Sequence, residues 1–391
     1  MKKITIIFTT SHSDTLGNAC RLEMVRYLTT QFEATIVTNR KGFIENQFDN
    51  CRVVDFVNKG NRNIPILSDL FSWKNIATIV NKINSDFVFM FDDTSPVTLW
   101  LKRPVFQYVH QYGRRSDKSK NLVKKVYKFI LKKFHDYLYI KGLKKSSAVF
   151  VVSKPIIELL KSKGVKNLIH TPHGMDLVKF QKPLLTDFHK ELEDLKSSGI
   201  FIITYTGWVT ENRGFRLMMD SIKKIAQKEN KVALVIAGAD NHFSKKIAEF
   251  AEQNNLKDNI INFGVIDVSL IPGILYYSDI CLSFLEDVPA YRVSPPQKVI
   301  EYFAAGKPVI CNKIQTHDWL VKDGVNGFIT EYNADDVSSK ILTLIRDKAL
   351  LKTMSQNALE ESKKHDIDII YGNMVNKIKE ELNEYKKKTK K

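Results

Sequence analysis

The 391-residue sequence predicts two doubly wound α/β domains, each built on a parallel sheet. Three observations carry that expectation. Short apolar runs without polar alternation are separated by stretches of helical length, the mark of strands covered on both faces. The alternation stops near Pro172 to Pro183 and starts again at Phe201. The length suffices for two cores of ordinary size.

In the first half, Lys3 to Phe8 reads as a strand and Ala19 to Thr30 as a helix. Ala34 to Thr38, Arg52 to Val57, Asp86 to Phe91, Pro104 to His110 and Ala148 to Val152 read as further strands. In the second half, Phe201 to Thr206 is a strand, Phe215 to Lys228 a helix and Val232 to Ala237 a strand. Ile260 to Phe263, Ile280 to Phe284 and Lys307 to Cys311 follow as short strands with helices between them. A last helix over roughly Asp366 to Tyr385 has no strand after it. The expected division is residues 1–175, residues 176–365, and a C-terminal helix with a basic tail over 366–391 that packs back on the first domain.

Composition narrows the function. The four cysteines, Cys20, Cys51, Cys281 and Cys311, form no CxxC or Cys/His cluster and are few for a disulfide framework, so a reduced compartment is expected. The apolar run after Met1-Lys2-Lys3 is too short for a signal peptide. No stretch reaches the eighteen or so apolar residues of a spanning helix. The net charge of +17 is uneven: Arg114 to Lys145 holds twelve Lys/Arg against two Asp. Such a patch implies an anionic partner.

The most informative segment is Ser294-Pro-Pro-Gln-Lys298-Val-Ile-Glu301-Tyr-Phe-Ala-Ala-Gly306-Lys-Pro-Val-Ile310. A proline turn opens a helix that ends at Gly306, and a strand follows at once. The unpaired N–H groups and partial positive charge of a helix start suit a diphosphate. Lys298 adds a full charge, and Glu301, nearly one turn on, can accept hydrogen bonds from a ribose diol.

This segment resembles the signature of the family-4 (group 1) retaining glycosyltransferases, whose fold is GT-B: two Rossmann-like domains facing across a cleft. The resemblance places Glu301 on the nucleotide ribose. Thr171-Pro-His173-Gly-Met-Asp176 resembles the family's inter-domain segment, with His173 a hinge residue. Tyr205-Thr-Gly207-Trp208-Val-Thr-Glu-Asn-Arg213-Gly-Phe215 resembles its glycine-basic loop, which implies that Gly207, Arg213, Ser294, Lys298 and Glu301 bind the donor. Trp208 stands where a first basic residue is expected, a role Lys298 can take over. Val293 stands where a glutamate near the transferred sugar is expected, with Glu286 and Asp287 as nearby carboxylates. Gly17 and Asn18 occupy a glycine turn, which implies Gly17 on the donor; His110 ends a strand where the family's histidine faces the donor sugar, and Asn18, Asp92 and Asp93 are acceptor-side candidates. His110, Arg213 and Lys298 form the expected catalytic set. The implied substrate is a nucleoside diphosphate sugar, with no cofactor and no essential metal. Paired aspartates such as Asp92-Asp93 also suit a cation, but here read as hydroxyl acceptors.

Asn121 to Ile140 has a helical period. Leu122, Val126, Phe129, Ile130, Phe134 and Tyr137 fall on one broad face, and Lys124, Lys125, Lys128 and Lys132 on the other. Two readings stay open: a helix lying on anionic lipid, or a surface helix packed on its own domain. The expected enzyme is cytoplasmic, peripheral on the inner membrane face through residues 114–145, with a glycan or lipid-linked acceptor and no nucleic acid. Its rivals are another GT-B activity (a nucleotide-sugar epimerase or phosphorylase) and an inactive nucleotide-sugar-binding protein.

Overall fold

The computed structural model describes residues 1–9, 19–48, 50–56, 65–111, 122–289 and 291–389. The chain divides into two compact units. One takes the described residues up to His173 except Ala19 and Cys20, together with the last helix from Ile370; the other takes Ala19, Cys20 and Gly174–Ile369.

The first unit has seven strands: β1 (Lys3–Phe8), β2 (Glu33–Thr38), β3 (Arg52–Asp55), β4 (Phe87–Phe91), β5 (Val105–Val109), β6 (Ala148–Val151) and β7 (Leu168–His170). They lie in the order β3-β2-β1-β4-β5-β6-β7, and every neighbouring pair is parallel. Both faces are buried, which explains the unbroken apolar runs. Ile7, Val37, Val88, Met90 and Val105 feed one core. On the other face aromatic rings pack edge-on or stacked, as in Phe87–Phe106 at 5.6 Å and Phe106–Phe150 at 6.4 Å.

Four helices of this unit matter here: α1 (Ala19–Gln31), α2 (Pro65–Lys82), α3 (Leu122–Lys145) and the final helix, α6 (Ile367–Thr389). Helix α6 buries Tyr371, Met374, Val375, Ile378 and Leu382. The ring of Tyr371 meets Tyr27 of α1 at 5.9 Å, and Lys2 Nζ reaches Asn383 Oδ1 at 3.4 Å.

The second unit has six strands: β8 (Phe201–Thr206), β9 (Val232–Ala237), β10 (Ile260–Asn262), β11 (Ile280–Ser283), β12 (Val309–Asn312) and β13 (Gly327–Thr330), in the order β10-β9-β8-β11-β12-β13 and again parallel. Alternate residues split between two cores. Ile203, Tyr205, Leu234, Ile236 and Leu282 go to one side, and Ile202, Val235, Ala237, Cys281 and Cys311 to the other. Helices α4 (Phe215–Ala226) and α5 (Gln297–Ala304) follow β8 and β11.

Two elements differ from the sequence expectation. Strand β13 was not among the expected ones; it is four residues long, begins with glycine and follows a run that reads as a turn, so only its pairing with β12 defines it. Asp92–Trp100, for which the sequence reading gave no element, is a 3₁₀ helix.

Candidate active site

In an open parallel sheet, ligands bind beyond the carboxyl ends of the strands where the strand order reverses. In the second unit that point lies between β8 and β11. The loop after β8 holds Gly207 to Arg213, and the loop after β11 leads through Tyr291 and Ser294 into α5. Topology alone therefore brings Gly207, Arg213, Ser294, Lys298 and Glu301 to one edge of one sheet.

The backbone there is tightly fixed. Gly207 has φ of 98°, and Gly214 has φ of 77°. A Cβ on Gly214 would fall 2.3 Å from Cβ of Phe284, so only glycine lets the Glu211–Arg213 turn press against the end of β11. Fully buried Tyr302 ties α5 to β8: its hydroxyl oxygen accepts from the Thr206 N–H at 2.9 Å. The first turn of α5 has no side-chain cap; the Val299 N–H bonds the Pro296 carbonyl at 3.1 Å, and the N–H groups of Gln297 and Lys298 are left for another acceptor.

Two cations converge. The ammonium of half-buried Lys298 lies 3.6 Å from the ring centroid of Tyr205. The guanidinium of half-buried Arg213 lies near the phenols of Tyr205 and Tyr291, whose oxygens favour its charge against the cost of burial. Neither cation has a carboxylate ion pair among the described residues. Burial, reinforced by the Arg213 charge, holds the Lys298 pKa well below the usual lysine value, and the Glu301 charge opposes this only partly. Tyr205 is pushed up to about 12, first by burial, and remains a neutral phenol. Its one proton goes to the Trp208 carbonyl at 2.9 Å. The site is thus positive, with its charges softened by a ring face and two phenols but not cancelled. Such a site favours an anion.

Glu301 is half-buried, and its Oε1 accepts from Gln297 Nε2 at 3.0 Å, which fixes the carboxylate on the first turns of α5. Val293 leaves no carboxylate at its position. In the preceding loop Asp287 is held by Arg292 at 2.6 and 2.8 Å, while Glu286 is exposed. Trp208 is half-buried and contributes its carbonyl to the site.

In the first unit the strand order reverses between β1 and β4. Gly17 and Asn18, after β1, lie outside the described residues. Asp92 and Asp93 open the 3₁₀ helix after β4. His110 follows β5 and is half-buried. His173 is buried, with Nδ1 3.4 Å from the Tyr108 hydroxyl at the end of β5. No group of three side chains able to hold a metal ion occurs among the described residues.

The sequence reading passed over Tyr205 and Tyr291. Tyr205 ends a buried strand and reads as a core aromatic, and Tyr291 lies in a loop without a pattern. Neither carries a charge or a spacing that marks it out in the sequence.

Comparison with known proteins decides the class. Residues 189–361 match the sequence family described as glycosyl transferases group 1. This part of the chain is a group 1 glycosyltransferase domain. The chain is 24% identical over 339 residues to the Escherichia coli UDP-Gal:alpha-D-GlcNAc-diphosphoundecaprenol alpha-1,3-galactosyltransferase, covering 84% of this chain and 83% of that enzyme. It is also 24% identical over 180 residues to the Candida albicans chitobiosyldiphosphodolichol beta-mannosyltransferase, covering 44% of this chain. The chain spans only 39% of the length of that relative and 48% of a Methanocaldococcus jannaschii glycosyltransferase that is 29% identical. Among solved structures, Anabaena HepE in complex with UDP superposes with a TM-score of 0.73 at 16% identity, covering 97% of this chain and all of that one. Sucrose-phosphate synthase from Thermosynechococcus elongatus gives 0.71 at 15% identity, covering 97% and 99%. The fold is that of the GT-B glycosyltransferases. The glycosyltransferase domain contains β8 to β13 and every site residue described in the second unit.

Proposed function

We propose that the chain transfers a hexosyl-type sugar from a nucleoside diphosphate sugar to a hydroxyl of a glycan or lipid-linked acceptor, with retention at the anomeric carbon. The observation that carries this reading is the pair Arg213 and Lys298, two half-buried cations without a carboxylate partner at the switch point of a glycosyltransferase domain. Arg213, Lys298 and the uncapped N–H groups of α5 hold the diphosphate and stabilise its charge as the glycosyl bond breaks. The acceptor oxygen attaches on the face the diphosphate leaves, and the diphosphate takes the acceptor proton. Gly207 and Ser294 line the donor, Glu301 holds the ribose, and His110 serves the donor sugar. Gly17 also binds the donor, Asn18, Asp92 and Asp93 belong to the acceptor side, and no cofactor or metal is required.

Names of relatives support the acceptor class: the E. coli and Campylobacter jejuni enzymes carry diphosphoundecaprenol substrates in theirs. Those names include both alpha and beta products, so stereochemistry needs its own measurement. Proton NMR of the first product formed tests it; an inverted anomeric centre would overturn retention. A second reading, nucleotide-sugar binding without turnover, draws on Val293 and Trp208. Calorimetry showing donor binding with no transfer to any of a broad set of acceptors would favour it.

A lipid-linked acceptor fits a chain held at the cytoplasmic face of an anionic membrane through residues 114–145. No described helix is long and apolar enough to cross a membrane. On α3, Phe129, Ile130 and Tyr137 are 56%, 58% and 60% exposed. Lys133 lies over the Phe129 ring and Lys141 over the Tyr137 ring, so cations and apolar groups share one outward stripe. The opposite side of α3 is docked. Leu138 and Leu143 are buried, Ser95 Oγ donates to the Tyr139 carbonyl at 3.0 Å, and His135 pairs with Asp69 of α2 at 3.0 Å. Of the expected apolar face, Phe129, Ile130 and Tyr137 are exposed and Phe134 is half-buried, and the buried Leu138 and Leu143 lie off it.

Two substitutions separate the roles. Glu301→Gln should weaken UDP or GDP, whichever binds wild type, by roughly ten- to a hundredfold, the worth of a charge-assisted hydrogen bond. Unchanged affinity in calorimetry rules out the ribose role. His110→Ala should leave nucleotide affinity intact and lower the transfer rate. A loss confined to nucleotide affinity contradicts its place near the sugar.

A further inference from the structure

We propose that Tyr205 is a positioning residue: the face of its ring is the seat on which the Lys298 ammonium waits for an anion. The proposal rests on the reading of Lys298 as a diphosphate ligand and adds what holds that charge in place before the ligand arrives.

A lysine ammonium is a compact, strongly hydrated charge on a flexible stem. Partial burial strips some of its water, and an ion pair is the usual compensation. Lys298 has none: among the described residues its ammonium makes no hydrogen bond and no ion pair. What lies beside it is the Tyr205 ring, 3.6 Å from nitrogen to centroid. An aromatic face carries partial negative charge and attracts a cation within about 6 Å, more strongly where water is displaced. Unlike a carboxylate, the ring brings no formal negative charge that an arriving anion would have to displace.

Both partners of this contact are fixed. On the strand side, Tyr205 is fully buried near the end of β8 and packs in the core with Leu234, Ile236 and Leu282. Its hydroxyl donates to the Trp208 carbonyl at 2.9 Å, which ties the ring to the turn through Gly207. The Gly207 N–H in turn donates to the Ala237 carbonyl at the end of β9 at 2.8 Å. A Cβ added to Gly207 would meet Lys298 Nζ at 3.4 Å and Cε at 3.6 Å, so the ammonium runs beside bare backbone. On the helix side, Lys298 and Tyr302 are four residues apart and share one face of α5. They dock on consecutive residues of β8. The Tyr302 hydroxyl accepts from the Thr206 N–H at 2.9 Å, and Lys298 stands on the ring of Tyr205. The Tyr302 bond sets where α5 lies along the strand end, and that register brings Lys298 to the ring.

Two formal charges act on Lys298. Arg213, in the loop after β8, disfavours the ammonium, and Glu301, on α5 itself, favours it. The other titratable groups nearby are uncharged at neutral pH. Burial keeps Cys281 of β11 and Tyr302 of α5 protonated, and it holds the His317 imidazole down at about 4. Burial and Arg213 outweigh Glu301, so a ring face that favours the charge matters here.

The test changes the electronics of the ring and not its shape. Tyr205→Phe keeps the ring without the hydroxyl. Trifluorophenylalanine at position 205 keeps that shape and drains the negative face, so the two variants should melt at the same temperature. The first readout needs no ligand. The pH profile of Lys298 acetylation by acetic anhydride, followed by mass spectrometry, gives the pH at which the amine loses its proton. That midpoint should lie lower with the fluorinated ring than in Tyr205→Phe, a difference that a merely structural role would not produce. The second readout is affinity for UDP and GDP by calorimetry. Above both midpoints binding must draw a proton onto Lys298, so the fluorinated variant should bind about tenfold more weakly than Tyr205→Phe, and below them equally. With Lys298→Met added, fluorination should cost no further affinity. An identical Lys298 midpoint in the two ring variants overturns the proposal. If the midpoint falls on fluorination but neither nucleotide binds wild type, the seat stands and the diphosphate reading of Lys298 falls.

Discussion

Arg213→Ala should lower kcat/KM for glycosyl transfer at least a hundredfold while leaving the fold intact, and Lys298→Ala should act in the same direction. A charge-assisted bond to a phosphate oxygen is worth roughly 1.5–3 kcal/mol, and the developing charge on a leaving diphosphate draws more from it. Both cations serve one anion, so the double variant should lose less than the product of the single losses. Full activity in the double variant would remove the diphosphate assignment. Lys298 also predicts a pH effect of definite sign. Without ligand its ammonium titrates well below the usual lysine value, because burial and Arg213 disfavour the charge. An arriving diphosphate reverses that preference and raises the pKa. Nucleotide binding should therefore take up protons at pH above the free-state value, and affinity should fall as pH rises through it. Calorimetry in buffers of different ionisation enthalpy measures the uptake. The dependence should vanish in Lys298→Ala.

The second large effect concerns the membrane. Replacing Lys124, Lys125, Lys128 and Lys132 by glutamine should weaken sedimentation with phosphatidylglycerol vesicles by as much as about a thousandfold at low salt. Each basic residue near an anionic surface contributes about 1 kcal/mol. Wild-type binding should itself fade as salt rises, since the attraction is screened. The variant should slow transfer to a lipid-linked acceptor and spare a soluble analogue. A separate triple change of Phe129, Ile130 and Tyr137 to serine keeps every charge. It should abolish the part of the binding that survives salt, because those side chains supply the apolar contact. Wild type remaining in the supernatant at low salt would show that α3 is an ordinary surface helix.

Much of the architecture could be read from the chain because parallel strands buried on both faces leave unbroken apolar runs. Phe201–Thr206 and Val232–Ala237 have the same ends in sequence and structure. Strand β13 escaped because four residues after a glycine turn carry too little pattern, and only pairing with β12 makes them a strand. Site residues with formal charge or special backbone, such as Arg213, Lys298 and Gly207, stood out by type. Tyr205 did not. Its contribution depends on where its ring falls relative to Lys298, 93 residues away, and such proximity leaves no local trace. The exposure of Phe129, Ile130 and Tyr137 was equally hidden: periodicity shows that residues share a face but not what the face meets.

The course of α6 has a consequence for biosynthesis. The first unit is discontinuous, because the helix that buries Tyr371, Val375 and Ile378 beside its opening strand comes from the other end of the polypeptide. On the ribosome, the seven-stranded sheet must wait, its α1 flank bare of Tyr371, while nearly two hundred residues of the second unit emerge and fold first. A stop codon ahead of residue 370 would therefore damage the domain whose strands were all translated before residue 171, and chaperone demand should peak there rather than in the glycosyltransferase domain.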